Sequence, residues 1–172
     1  MKIKGKTEIS AIPKDLENIK IGIVKAQWNS AVTDTMLSEC TKALKNAGIL
    51  EENIISKNVP GSYELPLGAL FIENTHNPAA VICLGCVIKG ETDHDIFINQ
   101  GIAQGIMGLN LRFSKPFVFG VLTVNTEEQA IARADGSKEN KGKEAAEAAL
   151  EMILLRQDLK KEVQGQIGFR NR

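Results

Sequence analysis

The stretch AAVICLGCVIKGETDH, residues 79–94, decides the fold. From Ala79 to Ile88 every residue is apolar or small. A run of that length bounded by turn residues reads as a strand buried on both faces, as in a parallel sheet. It breaks at Lys89-Gly90 into Glu91-Thr92-Asp93-His94, and a helical pattern then continues to Leu111. A glycine turn, a helix N-terminus and one of only 2 histidines thus sit at the carboxyl end of a core strand. Free N–H groups and the positive end of the helix dipole make such a spot an anion site. A histidine beside it can move protons near neutral pH. Phosphate next to a general acid/base is the chemistry this stretch suggests.

Three further strand-like runs flank it, alternating with helical patterns. Ile19 to Ala26 is the first strand, followed by a helix from Val32 to Ala47 with Gly48 as its stop. Asn53 to Val59 is a weaker second strand, leading to a helix from Glu64 to Asn74. Pro116 to Val124 is the fourth strand, and helices from Glu127 to Ala134 and from Asn140 to Leu159 follow. In the last helix Ala145, Ala149, Met152, Ile153 and Arg156 recur at three- and four-residue steps, giving one face to pack on a sheet.

Alternating β and α segments with continuous apolar strands imply a parallel sheet with helices on both faces. The expected architecture is α/β, a three-layer flavodoxin-like sandwich around a four-stranded sheet in the order 2-1-3-4. In that order the switch point, where ligands bind, lies between the carboxyl ends of strands one and three. Gln27-Trp28-Asn29 and Gly90 to His94 would meet there. Residues 1–18 read as an arm in which Ile3, Ile9 and Ile12 suit pairing with a neighbour, 19–160 as one domain, and 161–172 as a tail.

The chain has 172 residues, with Lys+Arg and Asp+Glu both at 21, so no basic excess draws it to nucleic acid or to an anionic membrane. No apolar run approaches a bilayer span, and MKIKGKTEIS lacks the core of a secretory signal. The 3 cysteines suit reduced thiols and a cytoplasmic location. Cys83 and Cys86 fall within a strand, so their sulfurs point to opposite faces and form neither a redox pair nor half a zinc site. No Walker loop, dinucleotide fingerprint or metal cluster is present, and no metal or cofactor is expected.

Each candidate site element also has a plain structural reading. In VPGSYELP, residues 59–66, Pro60-Gly61 makes a turn, Ser62 suits a helix cap and Pro66 its first turn. Spacing alone weighs a capped helix with a solvated Glu64 equally against backbone N–H groups and a carboxylate offered to a ligand. Thr92 with Asp95 matches a capping box. A lone histidine is more often structural, and the place of His94 at the end of the core strand is what favours chemistry. Trp28 suits either core packing or stacking on a flat heterocycle at a crevice mouth. Arg133 and Lys141 flank a polar connector whose charges are usually solvated, and His76 reads as a surface residue in a polar turn.

Five segments in order resemble the 6,7-dimethyl-8-ribityllumazine synthase family of riboflavin biosynthesis: Trp28-Asn29, VPGSYELP (59–66), VIKGETDH (87–94), FGVLTVNTEEQAIARA (119–134) and NKGKEAAEAALEM (140–152). The likeness runs from Ile19 to Leu155. It implies a transferase that condenses 5-amino-6-(D-ribitylamino)uracil with 3,4-dihydroxy-2-butanone 4-phosphate, without metal or redox cofactor. Carried over by position, Trp28 stacks on the pyrimidine, Ser62, Tyr63 and Glu64 hold the ribityl chain, and Val87, Ile88 and Lys89 line the ring pocket. Phe119 completes that pocket, Glu91 and Thr92 bind phosphate with Arg133 and Lys141, and His94 transfers protons. The resemblance also implies sites shared between subunits of a pentamer, assembly of pentamers into icosahedral shells in some members, and riboflavin synthase as a partner. This chain departs from the family pattern at Asp95, where an aromatic is usual, and at Asp135 and Glu139, where glycine is usual. Two other functions fit the same residues: a flavin- or nucleotide-binding module, and a shell-forming protein with a vestigial pocket.

Overall fold

A computed structural model describes Ile12 and residues 18–167, with side chains through residue 163. Four strands, β1 (Ile21–Ala26), β2 (Ile54–Val59), β3 (Ala80–Ile88) and β4 (Phe117–Val124), form one sheet in the order β2-β1-β3-β4. All pairs are parallel, with Ile21 opposite both Ile54 and Ala80, and Val81 opposite Phe117. The expected strand order and class are therefore observed. Among the described residues five helices cover the sheet: α1 (Ser30–Asn46), α2 (Leu65–His76), α3 (His94–Phe113), α4 (Glu127–Ala134) and α5 (Lys141–Ile167).

The two faces carry separate cores, and the period-two alternation of the strands sorts residues between them. Ile21, Ile23, Ile82, Leu84 and Cys86 pack with α1, α4 and α5. Val24, Ala26, Val81 and Cys83 pack with α2 and α3. Cys83 and Cys86 accordingly lie on opposite faces, as the strand reading requires. Lys25 is buried on β1 and paired with Asp34 of α1. The α1 and α5 backbones approach so closely at Gly142 that a Cβ there would lie 2.2 Å from the Met36 carbonyl oxygen.

Several element ends differ from the sequence expectation. Gly48 follows α1 at φ 106°, the left-handed stop expected of it. A single 3₁₀ turn, Ser62–Glu64, precedes α2, which runs on to His76. His76 is thus the last helical residue and half-buried, not part of a free turn. The last helix continues past Leu159 to Ile167, because Lys160-Lys161-Glu162 contains no stop. Of the expected arm, Ile3 and Ile9 lie outside the described residues. Ile12 docks on its own chain, its N–H donating to the Ala47 carbonyl at 2.8 Å.

Candidate active site

At the carboxyl edge of the sheet, β1 and β3 stop pairing at Lys25 opposite Leu84, although β3 runs on to Ile88. A cleft of about 440 Å³ opens beyond that point, between the loop after β1, the Ser62–Glu64 turn and the start of α3. Trp28, Ser62, Tyr63, Glu64, Val87, Ile88, Thr92 and His94 all line it. Eight of the residues singled out from the sequence therefore converge where the topology places a ligand.

The β1 loop is held by its backbone. Gln27 N–H donates to Val59 O at 2.9 Å, and Trp28 N–H to Pro60 O at 3.2 Å. The indole of Trp28 is 71% exposed. Its edge lies over Gly61, where an added Cβ would sit 3.5 Å from Cε3. An open aromatic face at a cleft mouth can stack a flat ring, and this placement favours that use over core packing. Asn29 adopts the left-handed conformation at φ 56° and caps α1 with its carbonyl, which accepts from Val32 N–H and Thr33 N–H at 3.0 Å.

Ser62 does not cap a helix. It is 6% exposed, tucked against β3, and an added Cβ at Gly85 would stand 2.7 Å from its Oγ. Glycine at 85 is what makes that room. Ser62 Oγ and Asp95 Oδ1 are buried polar atoms without a hydrogen-bond partner among the described residues, and both residues line the cleft. Such atoms are rare in folded proteins and mark a place for water or ligand. The Glu64 carboxylate accepts from Gly61 N–H at 3.0 Å, which fixes the turn and orients the acid at the cleft wall. Tyr63 is exposed, its ring resting on α3, where a Cβ at Gly101 would meet Cε2 at 2.9 Å.

The expected capping box of Thr92 and Asp95 is absent. Asp93 is the N-cap of α3, without a side-chain cap bond, and the helix begins at His94. The third helical position is then Ile96, which has no side-chain acceptor to return the bond. His94 consequently occupies the first position of α3, exposed, in a first turn whose Ile96 N–H donates to the Asp93 carbonyl at 3.1 Å. Cys86 forms part of the wall, and burial first, then the negative charge of Glu127, pushes its thiol up to about 11.

Lys89, Glu91, Phe119, Arg133 and Lys141 are not among the lining residues of this cleft. Lys89 and Glu91 are exposed in the loop between β3 and α3. Phe119 projects from the outer strand β4 and is 42% exposed. Arg133 lies in the last turn of α4, and Lys141 opens α5. The two cations meet at Glu139, whose Oε2 is 3.7 Å from Arg133 Nε and 3.4 Å from Lys141 Nζ. Lys141 Nζ also donates to Glu144 Oε2 at 2.8 Å, and the hydrogen bond to that carboxylate raises the proton affinity of the ammonium. Sequence reasoning missed Ile98 as a lining residue and the part Glu139 plays. Asp135 and Glu139 both stand between Arg133 and Lys141 in the connector, and sequence alone does not tell which of the two meets the cations.

This open parallel sheet, with an aromatic face and a helix-start histidine at its switch point, defines an α/β protein with a cleft shaped to suit a flat, polar small molecule. Residues 18–157 match the family model described as 6,7-dimethyl-8-ribityllumazine synthase, and the chain belongs to that family. A 6,7-dimethyl-8-ribityllumazine synthase of Flavobacterium psychrophilum is 45% identical over 153 residues, covering 89% of this chain and 78% of that protein. One of Cytophaga hutchinsonii is 47% identical over 139 residues, 81% of this chain and 87% of its own. One of Parabacteroides distasonis is 42% identical over 146 residues, 85% and 91% respectively.

Proposed function

We propose that the cleft is where this family member joins 5-amino-6-(D-ribitylamino)uracil to 3,4-dihydroxy-2-butanone 4-phosphate, giving 6,7-dimethyl-8-ribityllumazine and phosphate. The protein is then a transferase of riboflavin biosynthesis. The observation that carries the reading is the meeting of Trp28, Ser62 and His94 in one cleft of a chain that belongs to this family.

The uracil ring stacks on the Trp28 indole, against Val87, Ile88 and Lys89, with its ribityl hydroxyls toward Ser62, Tyr63 and Glu64. The ring amine attacks the ketone carbonyl, and loss of water gives an imine. Loss of the C3 proton and of phosphate from C4 leaves an enol, which tautomerises to a new carbonyl at C3 and a methyl at C4. The ribityl-bearing nitrogen closes on that carbonyl, and a further water is lost. Amines and ketones condense readily, so proximity and orientation contribute most, up to roughly 7–11 kcal/mol. His94 gives and takes the protons at nitrogen and oxygen, a contribution of about 10²–10⁴-fold.

Glu91 and Thr92 hold the phosphate through the loop at the start of α3, at the positive end of the helix dipole. Phe119, Arg133 and Lys141 lie elsewhere on the chain, so their part in the same site calls for a second copy. The exposed Phe119 on an outer strand, together with exposed Leu67, Phe71, Phe97, Met107 and Leu111 on α2 and α3, supports assembly of copies. A pentamer with sites between neighbours is the assembly this reading takes. The test is to mix the protein with both substrates and follow lumazine absorbance and fluorescence. Turnover is the expected result, and tight binding of either compound without product would overturn it.

A further inference from the structure

The connector between α4 and α5 is built, and what it builds is a carboxylate between two cations. It folds back on the last turn of α4, where the Ala132 carbonyl accepts from Lys138 N–H at 2.9 Å, Glu139 N–H at 3.3 Å and Ser137 Oγ at 3.3 Å. Asp135 Oδ1 accepts from Ser137 N–H at 2.8 Å and fixes the preceding turn. At the far end Asn140 anchors the start of α5, its Oδ1 accepting from Lys143 N–H at 2.9 Å and its Nδ2 donating to Glu39 of α1 at 2.7 Å. Glu139 is held from both sides, and its Oε2 faces Arg133 Nε and Lys141 Nζ together.

Resting on the reading that Arg133 and Lys141 serve the phosphate, we propose that Glu139 is an internal counter-anion that sets how tightly phosphate is held there. Arg133 Nη1 is committed to the Gln129 carbonyl at 3.0 Å, so the Nε edge next to Glu139 is the edge left for an anion. A phosphate arriving at that edge must displace the carboxylate or share two cations with it. The carboxylate lowers the affinity for phosphorylated substrate and, by the same amount, for the phosphate released. When phosphate departs, the two ion pairs re-form, which favours its release. Glu139 is thus a specificity-determining residue that touches neither reacting carbon.

Glu139→Gln keeps the shape and removes the charge. Half-exposed ion pairs are weak, so the gain is modest. Titration of inorganic phosphate into wild-type protein, Glu139→Gln and Arg133→Ala by calorimetry reads it without turnover. Glu139→Gln is expected to bind phosphate about three- to tenfold more tightly and to lower KM for the phosphorylated ketone by a similar factor. KM for the aminouracil should not change. A merely structural Glu139 would loosen the connector and weaken phosphate binding, so tightening is the signature of a counter-anion. Unchanged or weaker binding in Glu139→Gln, alongside lost binding in Arg133→Ala, overturns the proposal and leaves the phosphate site standing. Undiminished binding in Arg133→Ala removes the site itself, and the proposal with it.

Discussion

The side-chain amide of Asn29 donates to the backbone carbonyl of Cys86 at 3.0 Å, across the gap where β1 and β3 have ceased to pair. The sheet opens there, and one side chain continues the ladder that the backbone has abandoned. The same residue caps α1 and follows Trp28, so the aromatic face and the end of β3 are set against each other by one amide.

Asn29→Ala should therefore loosen the site as well as the fold. Loss of the hydrogen bond costs about 1 kcal/mol, and a Cβ-bearing residue without the Asn side chain at positive φ costs roughly 1–2 kcal/mol more. Asn29→Gly avoids the second cost. Urea denaturation should rank stability as wild type, then Gly, then Ala. Both variants should raise KM for the aminouracil alike, since both release the loop that carries Trp28. A KM that followed stability instead would show that the amide only serves the fold.

His94→Gln should lower kcat by about 10²-fold or more with little change in either KM, because positioning stays and proton transfer is lost. Turnover should remain measurable, since orientation supplies most of the acceleration. The check is kcat/KM against pH for both proteins. An unchanged profile at wild-type rates would remove the acid/base role.

The order of the sheet and the place of the cleft were legible because β1, β3 and β4 are continuous apolar runs with turns at their ends. The alternation within β3 also predicted correctly that Cys83 and Cys86 part company. Local spacing misled where tertiary packing decides. Ser62 looked like a cap, yet the space above Gly85 draws its hydroxyl beneath β3. Thr92 looked like a cap, yet the cap falls one residue later, at Asp93, a shift that changes no composition. The meeting of Arg133, Glu139 and Lys141 depends on one carbonyl, that of Ala132, which no pattern of side chains announces.

At the opposite edge of the sheet, Lys115 Nζ donates to both Glu73 oxygens at 2.8 and 3.0 Å, to Asn77 Oδ1 at 2.7 Å and to Pro78 O at 3.0 Å. The two side chains are 9% and 7% exposed. Lys115→Met strands a buried carboxylate and should cost roughly 3–5 kcal/mol. Adding Glu73→Leu removes the stranded charge, so the double variant should recover much of the loss. Chemical denaturation of the four proteins in a double-mutant cycle measures this. KM values should be unchanged in all of them, because this pair lies far from the cleft.

Burial pushes the thiols of Cys40 and Cys83 up to about 12 from an ordinary 9.0. The folded state therefore holds its protons where the unfolded chain gives them up. Stability from this source is complete below the unfolded value and is lost as pH rises toward the folded one. Denaturation midpoints of the wild type should fall between about pH 9 and 11 beyond what other groups cause. Cys40→Ala/Cys83→Ala should start lower at pH 7, from the two small cavities, and then fall less steeply. The same burial protects the thiols, so iodoacetamide at pH 8 should label both only after unfolding. Prompt labelling of native protein, or parallel pH curves for the two proteins, would contradict the environment described for these side chains.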